Sequence, residues 1–80
     1  MRIFITGATG LLGLTLIKEL QKQKLGPIVA FTLPHDKFAS LLPKDVQIIE
    51  GDILNENSLT KAIKKDDIVI HLAAYISISG

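Results

Sequence analysis

The chain has 80 residues, of which 48 % are hydrophobic, and its formal charges nearly cancel at +1. A chain of this length forms one small domain, and such domains are usually reinforced by disulfides or a metal. With no cysteine and only two histidines, this chain has no disulfide and lacks the donors of a usual zinc site. The composition is that of a globular core, and the near-neutral charge gives no indication of a nucleic-acid or membrane partner.

The first third of the sequence predicts a strand followed by a helix. Arg2 to Thr6 is a short, β-branched apolar run that ends at a glycine, which is typical of a buried strand. From Leu11 to about Lys24 apolar residues recur at helical spacing, and polar residues occupy the opposite side. The predicted apolar face of this helix comprises Leu12, Gly13, Leu16, Ile17 and Leu20. We expect Gly26 and Pro27 to end it.

The remaining sequence alternates strands and helices. A second strand is predicted at Pro27 to Leu33 and a third at Val46 to Glu50, with a helix of about two turns between Asp36 and Leu42. Asn55 precedes another amphipathic segment and is predicted to be its N-cap. The fourth predicted strand is Ile68 to Leu72.

Strands that are apolar on both faces and alternate with helices indicate a parallel sheet covered on both sides. The connection rules place the first strand centrally, the second and third to one side and the fourth to the other. The predicted class is therefore α/β, the N-terminal half of a Rossmann-type doubly wound parallel sheet with about four strands and helices on both faces. Ligands of such sheets bind at the carboxyl ends of the strands, at the switch point between the first and fourth.

The segment Thr6 to Gly13, TGATGLLG, follows the first strand and opens the first helix. In such a turn one glycine permits the tight bend, one lets a pyrophosphate approach the backbone, and one lets the helix pack close to the sheet. Gly7, Gly10 and Gly13 fit these roles in that order. A glycine-rich turn without a ligand is the alternative. A P-loop is excluded, because no lysine and hydroxyl pair follows the last glycine.

The glycine turn resembles the TGxxGxxG motif of the short-chain dehydrogenase/reductase superfamily. It is most similar to the extended branch, the NAD(P)-dependent epimerase/dehydratase and dihydroflavonol-reductase-like proteins. Three further stretches resemble that branch, namely Gly51-Asp52-Ile53, Asn55 to Leu59, and His71 to Ala74 (HLAA). The resemblance spans the whole chain. It implies that residues 1–80 are part of an NAD(P)-binding Rossmann domain, with the rest of the fold and the substrate region lying C-terminal to it.

The resemblance also implies which residues contact the cofactor. The expected cofactor-binding residues are Gly7, Thr9, Gly10, Leu11, Leu12, Gly13, Thr32, Asp52, Ile53, Leu72, Ala73 and Ala74. In the family, Asp52 would accept a hydrogen bond from the adenine amino group with the Ile53 amide beside it, and small residues after the fourth strand would let the backbone approach the cofactor. Taken without the other motifs, Asp52 is more typical of a turn or cap residue after a strand.

The cofactor is expected to be NADP or NAD. NAD-specific members place an acidic residue at the end of the second strand, whereas a nearby arginine favours the 2′-phosphate of NADP. Neither Thr32 nor Leu33 is acidic, and His35 and Lys37 follow closely, so the pattern leans towards NADP. The alternative is that His35 and Lys37 are ordinary solvent-exposed loop residues, which would not indicate a preference for either cofactor.

No catalytic residue is predicted. The family uses a Tyr-x-x-x-Lys pair for proton transfer, but the single tyrosine, Tyr75, is followed four residues later by Ser79. Tyr75, Ser77 and Ser79 also come too early in the family's order, so the chain alone is expected to be inactive. His71 is expected to be a packed, hydrogen-bonded strand residue, and no metal site is predicted.

These observations predict the dinucleotide-binding portion of an NAD(P)-dependent reductase or sugar-nucleotide epimerase/dehydratase. Two alternatives stay open, a non-catalytic NAD(P)-sensing regulator of the same fold and a small α/β interaction domain without a nucleotide. The expected partners are the cofactor and a small-molecule substrate held by the C-terminal part. A homodimer is allowed for the full-length protein, and neither nucleic acid nor membrane is expected. Without cysteine or an evident export signal, the expected location is cytoplasmic.

Overall fold

The computed structural model describes residues 1–72. Its elements are, in chain order, β1 (Ile3–Thr6), α1 (Leu11–Gln23), β2 (Ile28–Thr32), a 3₁₀ helix (Ala39–Leu41), β3 (Gln47–Glu50), α2 (Glu56–Ala62) and β4 (Ile68–His71). The four strands form one parallel sheet with the order β3-β2-β1-β4. The predicted α/β class and the central position of the first strand are confirmed.

The two faces of the sheet are covered by different helices. Successive side chains of a strand point to opposite faces, and the core divides accordingly into two clusters. The cluster under α1 contains Ile3, Ile5, Ala8, Ile17, Ile28, Ala30, Leu42 and Val46. The cluster under α2 contains Phe4, Val29, Phe31 and Ala62. Because β1 is central and covered on both faces, all four of its residues are buried.

Two helical segments differ from the sequence prediction. Lys24, not Gly26, ends α1: it adopts a left-handed conformation with φ of 53°, and its N–H donates to the Leu20 and Gln21 carbonyls. The helix predicted between Asp36 and Leu42 is a single 3₁₀ turn. Two causes explain this: the Asp36 carboxylate accepts a hydrogen bond from the Phe38 N–H at 2.9 Å, and a proline follows the segment.

No helix in residues 1–72 is long and apolar enough to cross a membrane.

The strands are slightly shorter than predicted, and one residue on the predicted apolar face of α1 is exposed. Pro27 precedes β2 instead of opening it, because proline has no N–H to donate to a strand ladder.

Leu12 was predicted to face the core, which is wrong, since 62 % of it is exposed. It lies in the first turn of α1, whereas the helix residues that contact the core come later: Leu14, Leu16, Ile17 and Leu20.

An ion pair lies at the amino edge of the sheet, opposite the carboxyl ends of the strands. Arg2 Nε donates to Asp67 Oδ1 at 3.0 Å and Arg2 Nη2 donates to Asp67 Oδ2 at 2.7 Å. Arg2 also donates to the Ala62 carbonyl, and Asp67 accepts from the Lys64 N–H. The hydrogen bonds from Arg2 lower the pKa of Asp67 from its ordinary 3.8 to about 2, against the opposing effect of burial.

Candidate functional site

A cavity of about 150 Å³ opens at the carboxyl edge, where β1, β2 and β3 end side by side. Its lining residues are Thr6, Gly7, Thr9, Phe31, Thr32, Leu33, Asp36, Gly51 and Ile53. A shallower groove beside it is lined by Gly7, Thr9, Gly10, Leu11, Leu14, Phe38 and Leu41. Residues of the glycine turn therefore line both spaces, and the predicted site residues Thr32 and Ile53 join them in the cavity.

The three glycines of the turn differ in what surrounds them. Gly7 has a φ of 71°, a conformation that side chains of L-residues rarely adopt, so the bend itself requires glycine. A Cβ at Gly13 would lie 2.6 Å from the carbonyl oxygens of Gly7 and Ala8, so close packing of α1 against the turn requires glycine there. Within the described part of the chain, a Cβ at Gly10 would meet nothing closer than the Gly7 oxygen at 3.6 Å. The fold therefore explains the first and last glycine but not the middle one.

The start of α1 is not capped by a side chain. Gly10 is the N-cap residue, in an extended conformation, and no side chain in residues 1–72 accepts a hydrogen bond from the N–H groups of the first turn. The first intrahelical bond is donated by Leu14 N–H to the Gly10 carbonyl at 2.9 Å. The preceding amides at Leu11, Leu12 and Gly13 have no carbonyl one turn earlier to bind, which makes the helix start suited to an anion.

The start of α2 is capped by its own side chains. Asn55 Oδ1 accepts from the backbone N–H groups of Asn57 and Ser58 at 3.0 and 3.2 Å, so Asn55 is the N-cap, as predicted. Ser58 Oγ in turn accepts from Asp52 N–H at 3.2 Å. Asp52 is exposed, and its Oδ1 accepts from Leu54 N–H at 2.9 Å in a local turn. Its contact with adenine stays a prediction.

Asp36 is a cavity residue that the sequence prediction passed over. Its Oδ2 accepts from Thr9 Oγ1 at 2.8 Å, so it contacts the glycine turn across 27 positions of sequence. Thr32, which was predicted, is 5 % exposed and lines the same cavity. Pro34 is a sequence signal that could have indicated Asp36, because proline after a strand predicts a reversal of the chain.

The last described residues lie at the end of β4. The Thr6 hydroxyl and His71 Nδ1 share a hydrogen bond of 2.6 Å, so the predicted bonding of His71 is confirmed, but its side chain is exposed instead of packed. Leu72 is half-buried and packs against the cluster under α1. The predicted site residues Ala73 and Ala74 lie outside the described residues, as does Tyr75.

The sequence model of the NAD dependent epimerase/dehydratase family matches residues 3–80. The chain belongs to this family. The family resemblance seen in the motifs is therefore confirmed, and the family's NAD dependence supports a nicotinamide dinucleotide as the class of cofactor.

Two relatives are longer than this chain. It is 32 % identical over 79 residues to the UDP-N-acetyl-alpha-D-glucosaminuronate decarboxylase of Bacillus cytotoxicus, covering 96 % of this chain and 25 % of that protein. It is 24 % identical over 80 residues to the uncharacterized protein 052L of Frog virus 3, covering 98 % of this chain and 22 % of that protein. The chain thus spans about a quarter of the length of these relatives. No solved structure matches it significantly.

Proposed function

We propose that this chain binds the adenosine and pyrophosphate portion of a nicotinamide dinucleotide. The observation that carries the proposal is Gly10. Its backbone angles, φ −75° and ψ 168°, are open to most residues, and a Cβ there would have room. A glycine that the fold does not require, placed at the start of an uncapped helix, fits a position kept free for the approach of a ligand.

The residues present fit such a cofactor. The amides that start α1 would hold the pyrophosphate, since helix N-termini favour negative charge. The adjoining cavity, with Thr32, Asp36 and Ile53 in its lining, would hold the adenosine portion. Asp52, Leu72, Ala73 and Ala74 keep the roles that the family resemblance implies. When bound, the nicotinamide would supply hydride transfer, and this chain's own contribution is to bind and orient the cofactor.

For the whole protein we propose an NAD-dependent reductase or a sugar-nucleotide epimerase or dehydratase. The Bacillus cytotoxicus relative, named as a decarboxylase of a UDP-sugar derivative, supports a sugar-nucleotide substrate. Tyr75 is the single tyrosine and has Ser79, not lysine, four residues on. We therefore propose that the 80-residue chain holds the cofactor without performing the reaction by itself.

The lean towards NADP receives no support from the structure of the loop after β2. His35 and Lys37 are exposed, and neither is among the residues of the described part that line the cavity. Lys37 Nζ instead lies 5.5 Å from the centre of the Phe38 ring. The carboxylate of Asp36 is the charged group of this loop that does line the cavity, so we propose a site for NAD.

The proposal is tested by titrating NAD⁺ calorimetrically into the wild-type chain and into Gly10→Val. A Cβ at this position has room in the fold, and the valine side chain would fill the space that the pyrophosphate would need. We expect affinity to fall by at least about tenfold, with the variant still folded at the temperature of the titration.

Thr60→Val is the matched control, because it places valine on an exposed residue of α2 remote from the glycine turn. It should bind NAD⁺ like the wild-type chain. Equal affinity of wild type and Gly10→Val would contradict the proposed site, and absence of binding by a folded wild-type chain would contradict the function.

A further inference from the structure

Strand β3 forms one edge of the sheet. Its inner side pairs with β2, and within residues 1–72 no strand pairs with its outer side. Further strands of a Rossmann-type sheet are added beside the fourth strand, so the third strand stays at the edge in larger versions of the fold. The outer side of β3 is therefore a surface to which another chain can add a strand.

The backbone groups on the outer side of β3 belong to alternate residues. Gly51 N–H donates to the Thr32 carbonyl at 2.8 Å, and the direction of the backbone groups alternates along a strand. The N–H group of Ile49 therefore points towards β2, whereas those of Ile48 and Glu50 point away from it. Because no strand of residues 1–72 lies on that side, the groups of Ile48 and Glu50 are open to a second chain.

The middle of this edge has none of the devices that commonly block pairing. Edges of natural sheets are often protected by a central charge, a proline or a bulge. Strand β3 pairs with β2 without a bulge, contains no proline, and has Ile48 and Ile49 as its central residues. Ile48 is 42 % exposed, and Ile49 lines an open groove of about 690 Å³ between β3 and α2. A strand added at this edge would cover both.

The charges at the two ends of β3 favour one direction of pairing between identical strands. Lys44 lies in the turn before the strand, Glu50 is its last residue, and both are exposed. Parallel pairing of two copies would place Lys44 beside Lys44 and Glu50 beside Glu50, which is unfavourable. Antiparallel pairing brings each Glu50 to the end of the other strand that carries Lys44. Asp45, the acidic residue at that end, already accepts from Gln21 Nε2 at 2.6 Å.

We propose that β3 pairs antiparallel with β3 of a second copy, about a twofold axis that passes between the two Ile48 residues. In this register the two Ile48 residues exchange both backbone hydrogen bonds, and Glu50 lies opposite Val46 of the second copy, two residues from Lys44. The two four-stranded sheets then form one continuous sheet. The twofold symmetry closes the interface, so no third copy adds at β3. The contact is small, so the dimer is weak, and it does not depend on the proposed cofactor.

Sedimentation velocity at increasing concentrations of the chain tests the pairing and its direction. Wild type should pass from monomer to dimer. Lys44→Glu and Glu50→Lys should each weaken the dimer by about tenfold, because each places like charges together at both ends of the interface. The double variant with both changes should dimerise like wild type, as should the control Lys18→Glu, which reverses an exposed charge of α1. A wild-type chain that stays monomeric, or a double variant as weak as the single ones, would overturn the proposal.

Amide hydrogen exchange of the wild-type chain locates the interface without any substitution. As the concentration rises, exchange at Ile48 and Glu50 should slow, because their N–H groups gain acceptors in the second copy. Exchange at Ile49, whose N–H points towards β2, should change little by comparison. Val69 belongs to β4 at the opposite side of the described sheet and is 43 % exposed. Protection that increases at Val69 instead of at Ile48 and Glu50 would overturn the proposal.

Discussion

The two turns that lead from a strand into a helix at the carboxyl edge are built in opposite ways. The turn before α2 is closed by its own side chains, with Asn55 capping the helix and Ser58 accepting from Asp52 N–H. Among residues 1–72, no side chain caps the turn before α1, and the nearest contact of a Cβ at its middle glycine, Gly10, would be 3.6 Å away. Both turns sit at the same edge of one sheet, so the difference lies in what each leaves unsatisfied.

The difference indicates which helix start is available to a ligand. Capping side chains at α2 occupy the amides that an anion would otherwise bind. At α1 those amides remain without side-chain partners in residues 1–72, next to the cavity that contains Asp36 and Thr32. The turn before α1 therefore lacks the side-chain stabilisation that the turn before α2 has, as expected of a position reserved for binding.

The largest expected effect is on stability, and it distinguishes two glycines of the segment that leads from β1 into α1. Gly13→Ala should lower the free energy of unfolding by about 2 kcal/mol, because the new Cβ would collide with backbone carbonyls that cannot easily move. Gly10→Ala, the same substitution three residues earlier, should cost less, at most about 1 kcal/mol, because it only replaces glycine by a poorer N-cap residue. Urea unfolding of both variants checks this. Equal losses would show that Gly10 is also structural and would remove the contrast on which the proposed site depends.

The second prediction concerns the cap of α2. Asn55→Ala should cost about 1 kcal/mol of unfolding free energy, since two backbone N–H groups lose their acceptor. It should leave NAD⁺ affinity unchanged, because this helix start is not the one proposed to bind. Asn57→Ala, an exposed residue of the same helix, is the matched control and should unfold like wild type. A loss of NAD⁺ binding in Asn55→Ala would break the distinction between the turns.

The third and smallest expected effect is a loss of stability in acid. It arises from the ion pair of Arg2 and Asp67 at the amino edge of the sheet. The pKa of Asp67 is lowered to about 2 in the folded chain by hydrogen bonds from Arg2. Between about pH 4 and pH 2 the unfolded chain therefore binds a proton that the folded chain does not. Stability should be complete above about pH 4 and fall as the pH is lowered through this range.

Thermal midpoints measured against pH check the acid effect. Asp67→Asn cannot titrate and should show a shallower decline than wild type, while Asp66→Asn, an exposed neighbour outside the ion pair, should decline like wild type. Asp67→Asn should also bind NAD⁺ normally at neutral pH, because the pair lies opposite the proposed site. Identical acid declines in all three proteins would contradict the role of the Arg2 and Asp67 pair.

The sequence predicted the sheet and the glycine turn well because both depend on local patterns. Buried strands gave continuous apolar runs, and the strand order followed from general connection rules. Asp36 was missed because its place in the cavity lining depends on a turn at Pro34 and His35 and on a partner, Thr9, far away in sequence. Leu12 was misplaced because helical periodicity does not reveal which turn of a helix extends past the residues that cover it. Long-range contacts of this kind leave no periodic signal.

The most direct test of the central claim is a titration of NAD⁺ followed by amide ¹H–¹⁵N correlation spectra. We expect the largest shifts at the amides that start α1, at Leu11, Leu12 and Gly13, because their N–H groups would bind the pyrophosphate. The amides of Asn57 and Ser58, held by Asn55 at the start of α2, should shift little. Shifts concentrated at α2, or spread evenly over the chain, would contradict the claim that the uncapped turn is the dinucleotide site.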